Sequence, residues 1–256
     1  MNVFETIYLN ADNPIKRDFL LSETALDIAI AKADKEYTLE SGLIELGEDK
    51  LFIESENTSD DSSNNAKKEN SFIKVIKSIC AAIKNFIGDV ISSIVSLFDG
   101  RDNIDFKDYL ESPTGKIRLE TDARQLEKIV NDEIRKGNKF LQAIASVTGH
   151  VGVTDEMIDN WIRSATTKLD KLTPVIVPAA LGFGFKRIFS SMMNTNKKEI
   201  DDAEKAATSG DISDPEKQSK IKKILGFMNT LIKETGKACS DWAVSMDKAK
   251  KKAKIK

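Results

Sequence analysis

The residue types that most often carry acid–base or metal chemistry are sparse in this chain of 256 residues. Its one histidine, His150, lies between Gly149 and Val151. No cysteine or second histidine stands near it at the spacing of a zinc site, and no serine or cysteine in a nucleophile-elbow context accompanies it. The sequence therefore predicts no metal site and no catalytic residue.

Phosphate-binding and cofactor-binding patterns are missing in the same way. The run GFGFKR at 182–187 begins like a glycine-rich phosphate loop, but Arg187 stands where the third glycine of the dinucleotide pattern belongs. Walker, EF-hand, HExxH and CxxC patterns are absent. The many acidic residues are scattered over polar faces. We therefore expect a protein that is not an enzyme, with no cofactor and no small-molecule substrate.

The two cysteines, Cys80 and Cys239, each occupy the apolar side of a predicted helix. This placement predicts buried free thiols that pack like small hydrophobic side chains, rather than a disulfide framework. The N-terminal residues lack the basic and apolar regions of a signal peptide. From these features we expect a location in the cytoplasm of a cell.

Charge is distributed unevenly along the chain. Residues 1–70 carry 16 acidic against 7 basic residues, a net charge of −9, whereas residues 71–256 carry 25 against 32, a net charge of +7. Either the acidic part masks the basic part within one molecule, or the two parts are modules with different surfaces. The basic part ends in a lysine tail: Lys248, Lys250, Lys251, Lys252, Lys254 and Lys256. Such a tail is either solvated charge at a helix end or a contact for phosphates of DNA or of an anionic membrane.

The longest apolar stretch, residues 71–98, organises the prediction of the fold. Its apolar residues recur at steps of three and four, which predicts an amphipathic helix. Lys84 and Asp89 in its middle disfavour a membrane span. The apolar face is therefore a core-packing face, a membrane-surface face or an oligomer contact. Its residues are Phe72, Ile76, Ile79, Ile83, Phe86, Val90 and Ile94.

Residues 1–70 read as two segments. Residues 1–54 form an acidic α+β segment, with a helix that Ser22 caps and, over 42–54, a β-hairpin or a continuing helix. Residues 55–70 contain no apolar side chain larger than alanine and read as a flexible linker.

Residues 71–256 read as a helical bundle. Asp214 and Pro215 mark the start of a second long helix that reaches about residue 249 and packs along the first. Residues 121–136, a helix that ends near Gly137, and residues 154–172, a helix that Thr154 caps, complete the layers. Residues 140–147, 179–193 and 197–207 form shorter helices, the last of them exposed. The second of these three is a buried helix or the tip of a membrane-inserting hairpin. The fold class is thus mainly α, a bundle of long amphipathic helices.

The first 42 residues, about a sixth of the chain, resemble the N-termini of virion proteins from large tailed bacteriophages. The resemblance rests on the short aromatic opening and on the alanine-rich, acidic segment 22–35. In such phages some internal head proteins are cut after a Leu/Ile-x-Glu site, a form that Leu43-Ile44-Glu45 and Leu21-Ser22-Glu23 share. The resemblance implies processing after Glu45.

The same resemblance implies a non-enzymatic structural protein. Such a protein would occur in the host cytoplasm and then in the virion, packaged in the head and delivered with the DNA. Its partners would be other virion proteins or further copies of itself. The alternative from another class is a membrane-active protein, a pore-former or a peripheral factor, which would use the faces of 71–98 and 173–193.

Overall fold

Six helices and one small sheet make up the part of the chain that this computed structural model describes, which comprises residues 14–54, 61–98, 116–119, 123–146, 152–172, 175–178 and 182–254. Side chains are described at 14, 16–35, 71–93, 123–146, 152–172, 189–245, 247, 248 and 251. The helices are α1 (Pro14–Glu54), α2 (Asp61–Phe98), α3 (Ala123–Ser146), α4 (Asp155–Asp170), α5 (Gly182–Ala207) and α6 (Pro215–Lys254). The prediction of a mainly helical protein is confirmed.

The sheet is a single antiparallel pair. Strand β1 (Lys116–Leu119) pairs with β2 (Val175–Pro178), with Lys116 opposite Pro178 and Leu119 opposite Val175. Proline lacks the amide hydrogen that a ladder needs, and here it stands at the end of its strand. Neither strand was predicted from the sequence, because runs of four residues are too short for a periodic signal.

Two helix starts that the sequence predicted are confirmed. Thr154 caps α4, because its Oγ1 accepts a hydrogen bond of 3.2 Å from the amide of Met157. Asp214 caps α6, because its Oδ1 accepts from the amide of Glu216 at 2.9 Å. Pro215 then occupies the first helical position, where no amide hydrogen is required.

The N-terminal predictions need correction. Helix α1 runs without interruption from Pro14 to Glu54, so Ser22 is not a cap. Of the two alternatives for residues 42–54, the structure has the continuing helix and not the β-hairpin. The apolar residues of this segment recur at spacings of seven and eight, which suits a helix face as well as two short strands. Helix α2 begins at Asp61, so residues 61–70 of the predicted linker are helical, and residues 55–60 lie outside the described residues. Once an apolar segment has nucleated a helix, each further turn adds hydrogen bonds at little cost.

Two further helices are longer than predicted. Helix α3 continues through Gly137, which the sequence analysis took as a helix end. A Cβ at Gly137 would lie 2.9 Å from Sδ of Met228 and 3.1 Å from Cη2 of Trp161, so this glycine permits close helix packing. Helix α5 includes residues 197–207, which were predicted as a separate exposed helix, and its Ile200 and Ala203 are fully buried.

One apolar core joins these helices. Helix α2 contacts α1, α5 and α6, which confirms the predicted packing of the two long helices. The rings of Phe19 on α1 and Phe86 on α2 meet edge to face at 5.9 Å, and both lie against Gly236 of α6. Phe19, Leu26 and Ala33 belong to the same core. The first half of the acidic segment is therefore packed into the bundle.

We predict opposite effects for two glycines of α6. A Cβ at Gly236 would lie 2.9 Å from Cζ of Phe86 and 3.0 Å from Cε2 of Phe19, whereas Gly226 has nothing within 4 Å. Gly226→Ala should stabilise the protein by about 0.5–1 kcal/mol through helix propensity. Gly236→Ala should destabilise it by about 1–3 kcal/mol, because both buried rings must move. Urea unfolding measures the two changes, and a stabilised Gly236→Ala variant would contradict this packing.

Candidate functional site

The most buried charged group in the described residues is Glu133 of α3, whose exposed fraction is 1%. Its Oε1 accepts hydrogen bonds from Nζ of Lys168 at 2.6 Å and of Lys136 at 2.9 Å, and its Oε2 accepts from Nε1 of Trp161 at 3.0 Å. Burial raises the pKa of the carboxyl group, but the hydrogen bonds and charges of the two lysines outweigh burial, and the net pKa is lowered. Glu133 is therefore an ionised group that joins α3 to α4.

A second polar cluster connects α2 to α5. Nζ of Lys84 donates to Oε2 of Glu204 at 2.8 Å and to Oδ1 of Asp201 at 3.0 Å. The hydrogen bond to Glu204 is the main cause of a raised pKa at Lys84. The lysine that disfavoured a membrane span thus lies at the edge of the core, where it pairs with two acids of a neighbouring helix.

A third cluster connects α3 to α5. Glu199 accepts from Nε of Arg135 at 3.0 Å and from Nδ2 of Asn138 at 2.8 Å. The same Nδ2 donates to the carbonyl oxygen of Glu199 at 3.1 Å. The buried amide and the exposed guanidinium hold one carboxylate between two helices, so this cluster is also an interhelical contact.

Both cysteines are free and buried. Burial, followed by the charge of Glu204, raises the pKa of the Cys80 thiol to about 12. Burial also raises the pKa of Cys239 well above its ordinary value. Because the thiolate is the reactive form, these cysteines are poor nucleophiles.

Helix α6 carries ion pairs with two other helices. Lys222 pairs with Asp34 and Lys233 pairs with Asp27, and both acids belong to α1. As the residue number rises on α1 it falls on α6, so the two helices run antiparallel. Lys223 pairs with Asp159 of α4 at 2.6 Å. Acidic residues of two helices thus cover lysines of α6.

The lysine tail is only partly described. Helix α6 extends to Lys254, and the side chains of Lys248 and Lys251 are exposed. Nζ of Lys251 lies 2.9 Å from Oδ2 of Asp247 on the same helix. The side chains of the remaining tail residues lie outside the described residues: Lys250, Lys252, Lys254 and Lys256.

The remaining residues to which the sequence assigned a possible role lie as follows. Six of the seven residues of the apolar face of 71–98 are buried in the core, with exposed fractions from 0% to 8%, and the side chain of Ile94 lies outside the described residues. Glu45 lies on the helical backbone of α1, and its side chain is likewise outside them. His150 is also outside the described residues, and residues 182–187 form the start of α5.

Glu133 was not among the residues predicted from the sequence, although the sequence contains a signal for it. Leu126, Val130, Glu133 and Gly137 follow one another at steps of four, three and four, the spacing of a buried helical face. An acid at an apolar position of this face implies a buried carboxylate, and a buried carboxylate requires donors from a facing helix. The identity of those donors depends on which helix packs there, which local spacing does not reveal.

Within the described ranges, no helix has an apolar window long enough to cross a membrane. The same residues contain no group of three or more histidine, cysteine or acidic side chains that could hold a metal ion. Comparison of the chain with protein-family models, with curated proteins and with solved structures finds no match.

We predict that Glu133→Gln destabilises the protein by about 1.5–3 kcal/mol at pH 7, because it removes charge-assisted hydrogen bonds to two lysines. The folded pKa of Glu133 lies below its ordinary value of 4.5. The wild-type advantage should therefore be constant above that pH and should shrink as the pH falls through the folded pKa. Urea unfolding between pH 3 and pH 8 measures it, with Asp89→Asn, which removes an exposed carboxylate of α2, as control. A pH-independent difference would contradict the assignment.

We predict that neither cysteine reacts with a thiol reagent in the native protein. At pH 8 the folded chain should show almost no reaction with Ellman's reagent, because both thiols are buried and protonated. After unfolding in urea, both cysteines of the chain should react. Rapid reaction of the native chain would place at least one cysteine at the surface.

Proposed function

We propose that this chain is a non-enzymatic structural or interaction protein. The observation that carries the proposal is the use of one buried and two partly buried charged groups among the described residues. Glu133, Lys84 and Glu199 each pair with partners on a neighbouring helix. Polar groups that an enzyme would direct at a substrate are here engaged in holding helices together.

The lengths of the helices support a role in contacts with other macromolecules. Helices α1, α2 and α6 contain 41, 38 and 40 residues. At 1.5 Å per residue these are rods of roughly 60 Å. Long helical surfaces suit association with other proteins or with further copies of the chain, in which an extended face meets an extended face.

The proposal extends to a particular setting, an internal or accessory component of a tailed-phage virion. Its support is the resemblance of the first 42 residues to such proteins and the contact between the acidic α1 and the basic α6. The protein would occur in the host cytoplasm and then in the particle, with other virion proteins as partners.

Mass spectrometry of particles purified from infected cells tests this setting. We predict that peptides of the chain co-purify with the capsid proteins at a constant ratio across a density gradient. If the particle-associated chain is processed after Glu45, its first peptide begins at Leu46. Because Glu45 lies within α1, cleavage requires local unwinding of that helix. Absence of the protein from the particles would end the virion proposal.

The membrane-active alternative makes a different demand on the fold. It needs the face that includes Ile76, Ile83 and Phe86 to meet lipid, and these side chains are at most 2% exposed in the bundle. Flotation with anionic liposomes separates the two proposals. A closed bundle stays at the bottom of the gradient, whereas a membrane-active chain rises with the vesicles.

A further inference from the structure

Helix α6 carries a row of lysines along one side. In helical projection, at about 100° per residue, these lysines lie within an arc of roughly 80°. They extend over 29 residues, a distance of roughly 43 Å at 1.5 Å per residue. The members of this lysine row are Lys222, Lys233, Lys237, Lys248 and Lys251.

Acidic residues of α1 cover one end of the lysine row. Asp34 pairs with Lys222 and Asp27 pairs with Lys233, whose exposed fraction is only 19%. Farther along, Lys237, Lys248 and Lys251 are exposed, and Nζ of Lys251 pairs at 2.9 Å with Asp247 of the same helix, which lies beside the row. The two carboxylates of α1 therefore occupy positions that the anionic groups of another molecule could take.

The opposite side of α6 narrows the class of partner. Its apolar residues Ile224, Leu231 and Cys239 are fully buried in the core. Insertion into lipid needs an apolar face, and in the bundle α6 has none to offer, so only charge attraction would hold it at an anionic membrane. No aromatic residue of α6 lies within the arc of the lysine row, so this surface offers no ring for stacking against single-stranded bases. The phosphates of a duplex require only positive charge at the surface.

We propose that the lysine row is a non-specific binding surface for double-stranded nucleic acid, and that Asp27 and Asp34 of α1 compete with its phosphates. The row then binds weakly while α1 covers it and more tightly when those two charges are removed. This inference deepens the proposed interaction role, on which it rests, by naming one partner class.

Fluorescence anisotropy with the full-length chain and a random duplex of about 30 base pairs tests the inference, since such a duplex is longer than the row. The logarithm of the binding constant falls with the logarithm of salt concentration, with a slope of about −0.9 for each phosphate that the protein neutralises. In Asp27→Asn/Asp34→Asn two more lysines face the duplex, so the slope should be steeper by about 1.8. Dilution from about 200 to 50 mM salt should then strengthen binding about tenfold more than it does for wild type.

Two matched controls separate the lysine row from bulk charge. Asp18→Asn/Asp202→Asn changes the net charge equally, but Asp18 lies on the opposite side of α1 from Asp27 and Asp202 belongs to α5. Its salt slope should equal that of wild type. In the Asp27→Asn/Asp34→Asn background, Lys237→Gln/Lys248→Gln should make the slope shallower by about 1.8, whereas Lys74→Gln/Lys77→Gln on α2 should leave it unchanged.

Three results would overturn the inference. They are equal slopes for wild type and Asp27→Asn/Asp34→Asn, an equal steepening in the Asp18→Asn/Asp202→Asn control, and binding of anionic vesicles in place of duplexes. Circular dichroism melting of each variant verifies that the bundle is folded. Duplex binding reports on the partner and particle composition reports on the virion setting, so either proposal can fail while the other stands.

Discussion

The burial of one face of α2 is the constraint on which the rest of the fold depends. The described part of α2 meets α1, α5 and α6, and the ring of Phe86 lies directly against Gly236 of α6. A side chain on residue 236 would occupy the space that this ring takes, so the absence of a Cβ sets how closely α2 and α6 lie. The ring of Phe19 brings α1 to the same point. Three helices from distant parts of the chain thus share one contact.

A second centre forms around Trp161 and determines where α4 lies. The ring meets Phe140 at 5.5 Å and Phe227 at 4.9 Å, both edge to face, and its Nε1 donates to the carboxylate of Glu133. A buried carboxylate without donors is costly, so Glu133 requires Trp161 and the two lysines in their observed places. The aromatic contacts bury the indole ring, and the hydrogen bond to Glu133 fixes the direction in which its Nε1 points.

Local spacing predicted the parts of this structure that depend on local interactions. The period of residues 71–98 identified six of the nine hydrophobic side chains that are buried in the described part of α2. The cap residues Thr154 and Asp214 marked two helix starts. Gly137 was misread as a helix end, because a glycine that ends a helix and one that admits a neighbouring side chain look alike in sequence. The pairing of Asp27 with Lys233 spans more than 200 residues, and nothing in either segment specifies the other. The charge asymmetry was therefore visible in the sequence, but the contact between α1 and α6 was not.

The contact between α1 and α6 has an apolar part and a charged part. Exposed ion pairs contribute about 0.2–1 kcal/mol each and weaken in salt. The pairs of Asp27 and Asp34 are therefore too weak to hold a helix of 41 residues in place, and the burial of Phe19, Leu26 and Ala33 must hold it. Because the apolar contact does not depend on these two carboxylates, their charges can be screened by salt or removed while α1 stays packed. The acidic face of α1 thus adjusts the charge of the α6 surface without being required for the fold.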